Sequence, residues 1–111
     1  QKTFGLSEPL RKSLAPFANE IGAAFVYGSI AKNTDTSTSD VDLMVISDQL
    51  SYGDLFLALD QVGQHLARTV NPTILTKREL SKRVKAKDMF VTRVLAQPKI
   101  WVIGDERALA A

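Results

Sequence analysis

The sequence contains no cysteine, only one histidine and one tryptophan, and no apolar run long enough to cross a bilayer. The absence of cysteine excludes disulfide bonds and thiolate metal sites, and it is compatible with a reducing cytoplasm. A spanning helix needs about 20 consecutive, mainly apolar residues, so a transmembrane segment is excluded as well. No secretory signal sequence is recognisable. We therefore expect a cytoplasmic protein that has no association with a membrane.

The length of the chain, 111 residues, is that of one domain. A hydrophobic content of 45% with 23% charged residues is typical of a globular protein that buries a core. Internal repeats and low-complexity segments are absent from the sequence. The chain starts with Gln1 rather than methionine, so we expect residues 1–6 to be a tether that follows an upstream part of the protein. Residues 1–111 are then a single domain that includes this tether.

Charge is distributed unevenly along the chain. Through Gln64 there are four basic and eight acidic residues, a net charge of −4, whereas the remainder has ten basic and four acidic residues, a net charge of +6. A basic second half suits a polyanionic ligand, but it is also typical of a solvated helix face. We favour the solvated face, because no aromatic residue that could stack on a base interleaves with the basic cluster of Lys77, Arg78, Lys82, Arg83, Lys85 and Lys87.

The spacing of apolar residues predicts the order helix, strand, strand, helix, strand, helix, helix, strand. The predicted elements are a helix from its N-cap Ser7 to Ile21, strands at 23–27 and 40–46, a helix that carries Leu66, a strand at 69–75, helices at 77–85 and 89–96, and a strand at 99–104. Capping boxes of Ser51 with Asp54 and of Thr76 with Glu79 are predicted to begin the second and third helices. Pro72 restricts the third strand to an edge or a bulge. This order predicts an α/β fold with a small mixed sheet and helices packed mainly on one face.

The first candidate site lies where the apolar strand 23–27 ends at Gly28-Ser29. Glycine allows a sharp turn of the backbone, and the residues that follow can open a helix whose free N–H groups bind a phosphate. An ordinary turn is the alternative interpretation, and for Gly28-Ser29 alone it has about equal weight.

The second candidate site is Asp40-Val41-Asp42, at the beginning of the second strand. Residues at i and i+2 of a strand share a face and lie roughly 6–7 Å apart, so the two carboxylates repel unless a cation lies between them. A hard divalent ion such as Mg²⁺ is the usual compensation. Asp40 alone could be a charge that flanks a strand, but Asp42 lies within an otherwise apolar run, where an unpaired charge is costly.

Together these segments resemble the nucleotidyltransferases of the DNA polymerase beta superfamily. The nearest resemblance is to their minimal nucleotidyltransferase domains, which carry the patterns Gly-Ser-x-Ala-(Lys/Arg)-Gly and Ser-Asp-x-Asp-Leu. Residues 28–32 (Gly-Ser-Ile-Ala-Lys) match the first pattern, and residues 39–43 (Ser-Asp-Val-Asp-Leu) match the second. The chain departs from the family at Asn33, where the pattern has glycine, but asparagine also tolerates a positive φ.

The resemblance implies a palm-like nucleotidyltransferase fold and a site for a divalent cation, Mg²⁺ or Mn²⁺, held by Asp40 and Asp42. It further implies an NTP substrate, with ATP as the expected nucleotide. The residues that the resemblance assigns to the phosphates are Gly28, Ser29, Lys32 and Ser39.

Active members of the family use a third carboxylate on a later strand, as a metal ligand and base. By order along the chain this is the strand 69–75, whose alternation places Thr69, Asn71 and Thr73 on one side. Asn71 then occupies the third position. An asparagine carries no charge and cannot act as a base, so we expect the domain to bind Mg²⁺ with NTP and to transfer NMP slowly or not at all.

Two main functions remain open on the sequence. The first is an enzyme that transfers NMP to an acceptor hydroxyl, on a partner protein such as the toxin of a toxin–antitoxin pair. The second is a catalytically weakened module, either an antitoxin or a nucleotide sensor fused to an upstream DNA-binding winged helix. Nucleic acid is expected as a partner only through such an upstream domain. An interaction protein with a degenerate site is a third interpretation.

Overall fold

A computed structural model describes residues 2–28 and 40–109 of the chain. Within these ranges, four strands and four α-helices follow one another in the predicted order, and two short 3-10 helices accompany them. The elements are α1 (Lys2–Leu14), a 3-10 helix (Ala15–Glu20), β1 (Ala23–Tyr27), β2 (Val41–Ile46), α2 (Tyr52–Leu66), β3 (Val70–Leu75), α3 (Lys77–Lys85), α4 (Met89–Ala96), β4 (Ile100–Ile103) and a second 3-10 helix (Glu106–Leu109).

The strands form one mixed sheet in the order β3-β2-β1-β4. Strand β1 is antiparallel to both β2 and β4, whereas β2 and β3 are parallel and are joined through α2. The predicted α/β fold with a small mixed sheet is confirmed. The parallel pair matters for the site, because the first residues of β2 and β3 lie at the same end of the sheet.

Pro72 lies in β3 at the edge of the sheet, as its missing N–H group predicted. The backbone N–H groups of Val41 and Ser47 donate to the carbonyl oxygens of Thr69 and Leu75, at 2.8 and 2.9 Å. The N–H and C=O groups of one residue point to the same side of a strand, and this side alternates from each residue to the next. The carbonyl groups of Thr69 and Leu75 point towards β2, and residue 72 is an odd number of positions from both. The nitrogen of Pro72 therefore points away from β2, so its missing donor costs the sheet no hydrogen bond.

Both faces of the sheet are covered. The longest helices, α1 and α2, pack on the face that includes Val26 and Leu43. The shorter α3 and α4 pack on the opposite face, against Phe25 and Met44. The sequence predicted helices mainly on one face, whereas the structure has α1 and α2 on one face and α3 and α4 on the other. Helices are needed on both faces of the sheet, because every residue of β1 is buried and successive side chains of a strand point to opposite faces.

Helix α1 differs from its predicted bounds at both ends. It begins at Lys2, so residues 2–6, predicted as a tether, are helical, and Ser7 is not the N-cap. It ends at Leu14 rather than at Ile21, and the chain continues as a 3-10 helix whose second residue is Pro16. The change falls at Pro16, which lacks the N–H group that an α-helix would use to continue its hydrogen bonds.

Side-chain caps fix the beginning of α2 and α3 as the sequence predicted. The Ser51 hydroxyl accepts a hydrogen bond from the Asp54 N–H at 3.1 Å. Thr76 and Glu79 form a reciprocal capping box at 3.0 and 2.9 Å.

Among the helices of the described ranges, none combines the length and the apolar character that a membrane span requires.

Candidate active site

Three polar side chains meet where β2 and β3 begin. The parallel register places Asp42 opposite Asn71, and the Asn71 Nδ2 donates a hydrogen bond to Asp40 Oδ2 at 3.1 Å. Asp40 and Asn71 are exposed, whereas Asp42 is half-buried. The structure thus brings together the three residues that the sequence proposed as a metal site, and their roles remain a prediction.

The charge of Asp42 is poorly compensated. The pKa of its carboxyl is raised above the usual value, first because the side chain is buried and second because the negative charge of Asp40 is close. Within residues 2–28 and 40–109, neither Asp40 nor Asp42 forms a salt bridge. Two neighbouring carboxylates that no cation of the described residues pairs leave a position at which a bound cation would be stabilised.

Gly28 follows β1 and lies directly against Asp42. Its φ is +84°, and a Cβ at this position would come 2.7 Å from Asp42 Oδ2. Both facts require glycine here, because an L-residue is strained at this φ and its side chain would displace the carboxylate. The turn after β1 and the carboxylate of β2 are thereby in van der Waals contact.

The backbone N–H of Gly28 already has a partner. It donates to Oε1 of Gln97, at the C-terminal end of α4, at 3.1 Å. Gly28 therefore contributes conformation rather than a free N–H group, and donors for a phosphate would come from the residues that follow it. Those residues, Ser29 and Lys32 with Ser39, lie outside the residues that the structure describes, and so does Asn33.

Tyr27 and Thr73 extend the polar end of the sheet. Tyr27 is opposite Asp42 in the antiparallel register, and its side chain is hydrogen-bonded to that of Thr73. The pKa of Tyr27 is raised, mainly by burial and further by the negative charge of Asp42, whereas the hydrogen bond to Thr73 acts in the opposite direction. The phenol of Tyr27 therefore stays neutral at neutral pH, and Tyr27 lies opposite Asp42 in the sheet.

Tyr27, Thr73 and Gln97 are residues of this site that the sequence did not predict. A signal existed for Thr73, which shares a strand side with Asn71, and for Tyr27, which immediately precedes Gly28. No local signal pointed to Gln97, because its contact with Gly28 joins positions 69 residues apart.

The donor set fits a hard divalent cation. Asp40 and Asp42 offer carboxylate oxygens, and Asn71 keeps its carbonyl oxygen available because its amide nitrogen is the group that bonds Asp40. No cluster of three or more His, Cys, Asp or Glu side chains with metal-binding geometry occurs in the part of the chain that the structure describes. This agrees with an asparagine, rather than a carboxylate, as the third member of the site.

An open groove of about 450 Å³ continues from Asp40 and Asn71 along the outer side of α2. Tyr52 and Phe56 stack on each other in this groove, with ring centroids 6.1 Å apart and an angle of 26° between the planes. Both rings are about half exposed, at 52% and 46%. The groove is therefore a solvent-accessible space next to the carboxylates, on the β3 side of the sheet.

The sequence profile of the family described as "Polymerase beta, Nucleotidyltransferase" matches residues 10–105. The chain therefore belongs to the polymerase beta nucleotidyltransferase family, as its motifs predicted. A search of curated protein sequences gives no significant match.

Two solved structures have similar folds. One is described as a toxin–antitoxin with AMP-PNP; it is 14% identical with a TM-score of 0.63, over 94% of this chain and 77% of the other. The second is a mutant of the toxin–antitoxin MntA-HpeT, 13% identical with a TM-score of 0.66, over 91% of this chain and 75% of the other. At such identities the likeness concerns the fold.

Proposed function

We propose that the chain is a metal-dependent nucleotidyltransferase domain that binds Mg²⁺ with an NTP and transfers NMP to an acceptor hydroxyl. The observation that carries this proposal is the arrangement of Asp40, Asp42 and Asn71 at one end of the sheet, in contact with the Gly28 turn. We further propose that the nucleotide is ATP and that the protein is cytoplasmic.

Asp40 and Asp42 would hold Mg²⁺ or Mn²⁺, and the carbonyl oxygen of Asn71 would add a neutral ligand. A divalent cation in such a site neutralises the negative charge that accumulates on the phosphates during phosphoryl transfer. Ser29, Lys32 and Ser39 would contact the polyphosphate, while Gly28 keeps the turn close to Asp42. The charge of Lys32 suits an anionic phosphate.

The order of the strands supports a different side of the site for each substrate. The turn that we propose for the phosphates follows β1, Asp40 and Asp42 lie at the beginning of β2, and Asn71 lies in β3 beside the open groove. In-line displacement requires the attacking hydroxyl and the leaving pyrophosphate on opposite sides of the phosphorus. The acceptor would therefore approach from the β3 side, past Asn71, and the exposed groove leaves room for a hydroxyl of a partner protein.

Asn71 limits the chemistry that the chain performs alone. General-base catalysis is commonly worth about 10²–10⁴ in rate, and an asparagine cannot accept the proton of the acceptor. We propose that the isolated domain binds Mg²⁺ with NTP and transfers NMP slowly.

A catalytically weakened nucleotide-binding module is the second candidate function. The observation that favours it is again Asn71, whose amide nitrogen is committed to Asp40. The structural neighbours are toxin–antitoxin proteins, one of them with AMP-PNP, which supports an antitoxin or regulatory role with a protein partner.

Thermal unfolding with ATP and Mg²⁺ tests nucleotide binding. A ligand at a hundred times its Kd stabilises the folded state by about 2.7 kcal/mol, so the wild-type melting temperature should rise. Asp42→Asn should abolish the rise, and the charge-matched control Glu8→Gln, on the exposed surface of α1, should keep it. An equal rise in Asp42→Asn would disprove the metal assignment.

Incorporation of radiolabelled NMP then separates the two candidate functions. Candidate acceptors include the chain itself and the product of a neighbouring gene. Transfer that Asp40→Asn removes identifies an enzyme, whereas binding without transfer to any acceptor identifies the regulatory module.

A further inference from the structure

A second concave surface lies far from the carboxylates, between α3 and the 3-10 helix Glu106–Leu109. This basic groove has a volume of about 660 Å³. Its floor is formed by Leu80, Val84 and Leu109, and its rim by Arg78, Lys82 and Lys85. Helix α3 follows the last residue of β3, whereas Asn71 lies near the first, about 13 Å away along the strand. The groove is therefore separate from the candidate active site.

The rim carries an excess of positive charge that the protein itself does not compensate. Arg78 and Lys82 are four residues apart and Lys82 and Lys85 three, so they are neighbours on the helix surface and repel one another. Glu79, the acidic residue of α3, uses its carboxylate in the capping box with Thr76. Within the two described ranges, the three rim side chains form no salt bridge. The rim consequently attracts an anionic ligand.

The floor of the groove is apolar, so its ligand must also present apolar groups. Leu80 is anchored in the core, Val84 is 38% exposed, and Leu109 comes from the other wall of the groove. An aliphatic surface beside a row of cations on α3 favours a ligand that has both aliphatic and acidic side chains. No aromatic side chain lines the groove, so it lacks the platform on which single-stranded nucleic acid stacks. The apolar residues are recessed, whereas a membrane-binding helix presents them on a protruding face.

We propose that the basic groove binds an acidic, aliphatic segment of a partner protein. The aliphatic side chains of that segment lie on Leu80, Val84 and Leu109, and its carboxylates pair with the guanidinium and ammonium groups of the rim. Charge complementarity selects the segment and guides its approach, and burial of the aliphatic side chains holds it. The basic cluster that the sequence suggested to be a solvated face thereby gains a function as a protein-binding surface.

Fluorescence anisotropy of labelled probes on the full chain tests this proposal. The main probe is a peptide of Glu, Leu and Ala with leucines at helical spacing. Three other probes test the alternatives: the same peptide with Lys in place of Glu, a single-stranded oligonucleotide, and vesicles that contain phosphatidylserine. We expect the acidic peptide to bind and the lysine peptide not to bind.

Variants locate the binding surface. Lys82→Glu should raise the Kd for the acidic peptide about tenfold or more, because like charges then face each other. Val84→Ser should raise it several-fold at unchanged charge. Lys12→Glu makes the same charge change on the exposed surface of α1 and should leave the Kd unchanged. Thermal unfolding checks that each variant is folded.

Each of the following outcomes of the binding experiments would overturn the proposal. They are no binding of the acidic peptide, tighter binding of the oligonucleotide or the vesicles than of the peptide, equal losses in Lys82→Glu and Lys12→Glu, and no effect of Val84→Ser. Self-association of the chain that Lys82→Glu abolishes would also overturn it, because the occupant would then be a second copy.

Discussion

Gly28 and Asp42 are packed so closely that the space beside Asp42 Oδ2 has no room for even one methyl group at residue 28. The hypothetical Cβ would lie 2.7 Å from that oxygen, and the backbone of Gly28 has a φ of +84°. Consequently any side chain at residue 28 would displace the carboxylate of Asp42. The position of the carboxylate is thereby coupled to the segment that we propose for the phosphates.

Gly28→Ala should damage both stability and nucleotide binding. The strained φ and the close contact should together lower the free energy of unfolding by about 1–3 kcal/mol, and the displaced Asp42 should weaken the Mg²⁺–ATP-dependent rise in melting temperature. Urea unfolding with and without Mg²⁺ and ATP measures both effects. Gly53→Ala is the matched control, because a Cβ there meets no atom within 4 Å, and it should stabilise the chain by about 0.4–1 kcal/mol. Equal effects of the two substitutions would contradict the coupling.

Asp42→Asn should stabilise the metal-free chain at neutral pH. The pKa of Asp42 in the folded state is raised above its unfolded value of about 4, so folding becomes less favourable as the pH rises from the unfolded to the folded pKa. Asparagine carries no charge, so the substitution removes this destabilisation of the folded state. The gain in the free energy of unfolding should be present above the folded pKa and should disappear below about pH 4. Urea unfolding at several pH values in EDTA measures it.

Asp105→Asn serves as a control, because the pKa shift of Asp105 has the opposite direction to that of Asp42. Hydrogen bonds from Arg107 lower the pKa of the exposed Asp105, so its ionised form stabilises the folded state and the substitution should give no gain at neutral pH. A loss of stability in Asp42→Asn at neutral pH without metal would show that the carboxylate has a compensating partner.

The effect of Asn71→Asp should change sign with Mg²⁺. Without metal, the substitution replaces the hydrogen bond to Asp40 by a third negative charge, which should lower the free energy of unfolding by about 1 kcal/mol or more. With Mg²⁺ the added charge should tighten metal binding about tenfold, because the number of charged ligands governs affinity for hard cations. Calorimetric titration with Mg²⁺ and thermal unfolding test the two parts. Asn71→Ala should lose the hydrogen bond without the gain, and a gain in Asn71→Ala would disprove the explanation.

Gln97→Leu should loosen the turn at Gly28. The substitution removes the acceptor of the Gly28 N–H, and an unpaired N–H group in a partly buried position costs about 1–3 kcal/mol. Gln97→Glu retains an acceptor oxygen and should restore most of the stability. Urea unfolding compares the three proteins, and Mg²⁺–ATP binding should follow the same order. Failure of Gln97→Glu to exceed Gln97→Leu would mean that packing, rather than the hydrogen bond, determines the effect.

Local features predicted most of the fold. Strand β1 has its predicted bounds because glycines punctuate both ends of a fully apolar run, and α3 begins where Thr76 and Glu79 form the predicted capping box. The edge position of Pro72 followed from its missing N–H group. Each of these predictions depends on chemistry within a few residues.

What the sequence failed to predict depends on distant contacts or on competing local rules. The link between Gly28 and Gln97 requires α4 to end beside the turn, which no periodicity reveals. Helix α1 ends early because Pro16 overrides the apolar spacing that continues to Ile21. Within the site, spacing along one strand predicted the pair Asp40 and Asp42, and the resemblance to the family with the order of strands predicted Asn71 beside them, where the parallel register of β3 holds it.

The outward-facing nitrogen of Pro72 has a consequence for the chain in a crowded solution. An edge strand whose N–H groups point outwards is a template on which a strand from another molecule can add, and such growth leads to aggregation. Proline removes one donor from the middle of this template, so β3 is protected against edge-to-edge polymerisation at no loss to its pairing with β2. The same edge, with Pro72, borders the groove beside Asp40 and Asn71, so a strand added at this edge would also approach that groove.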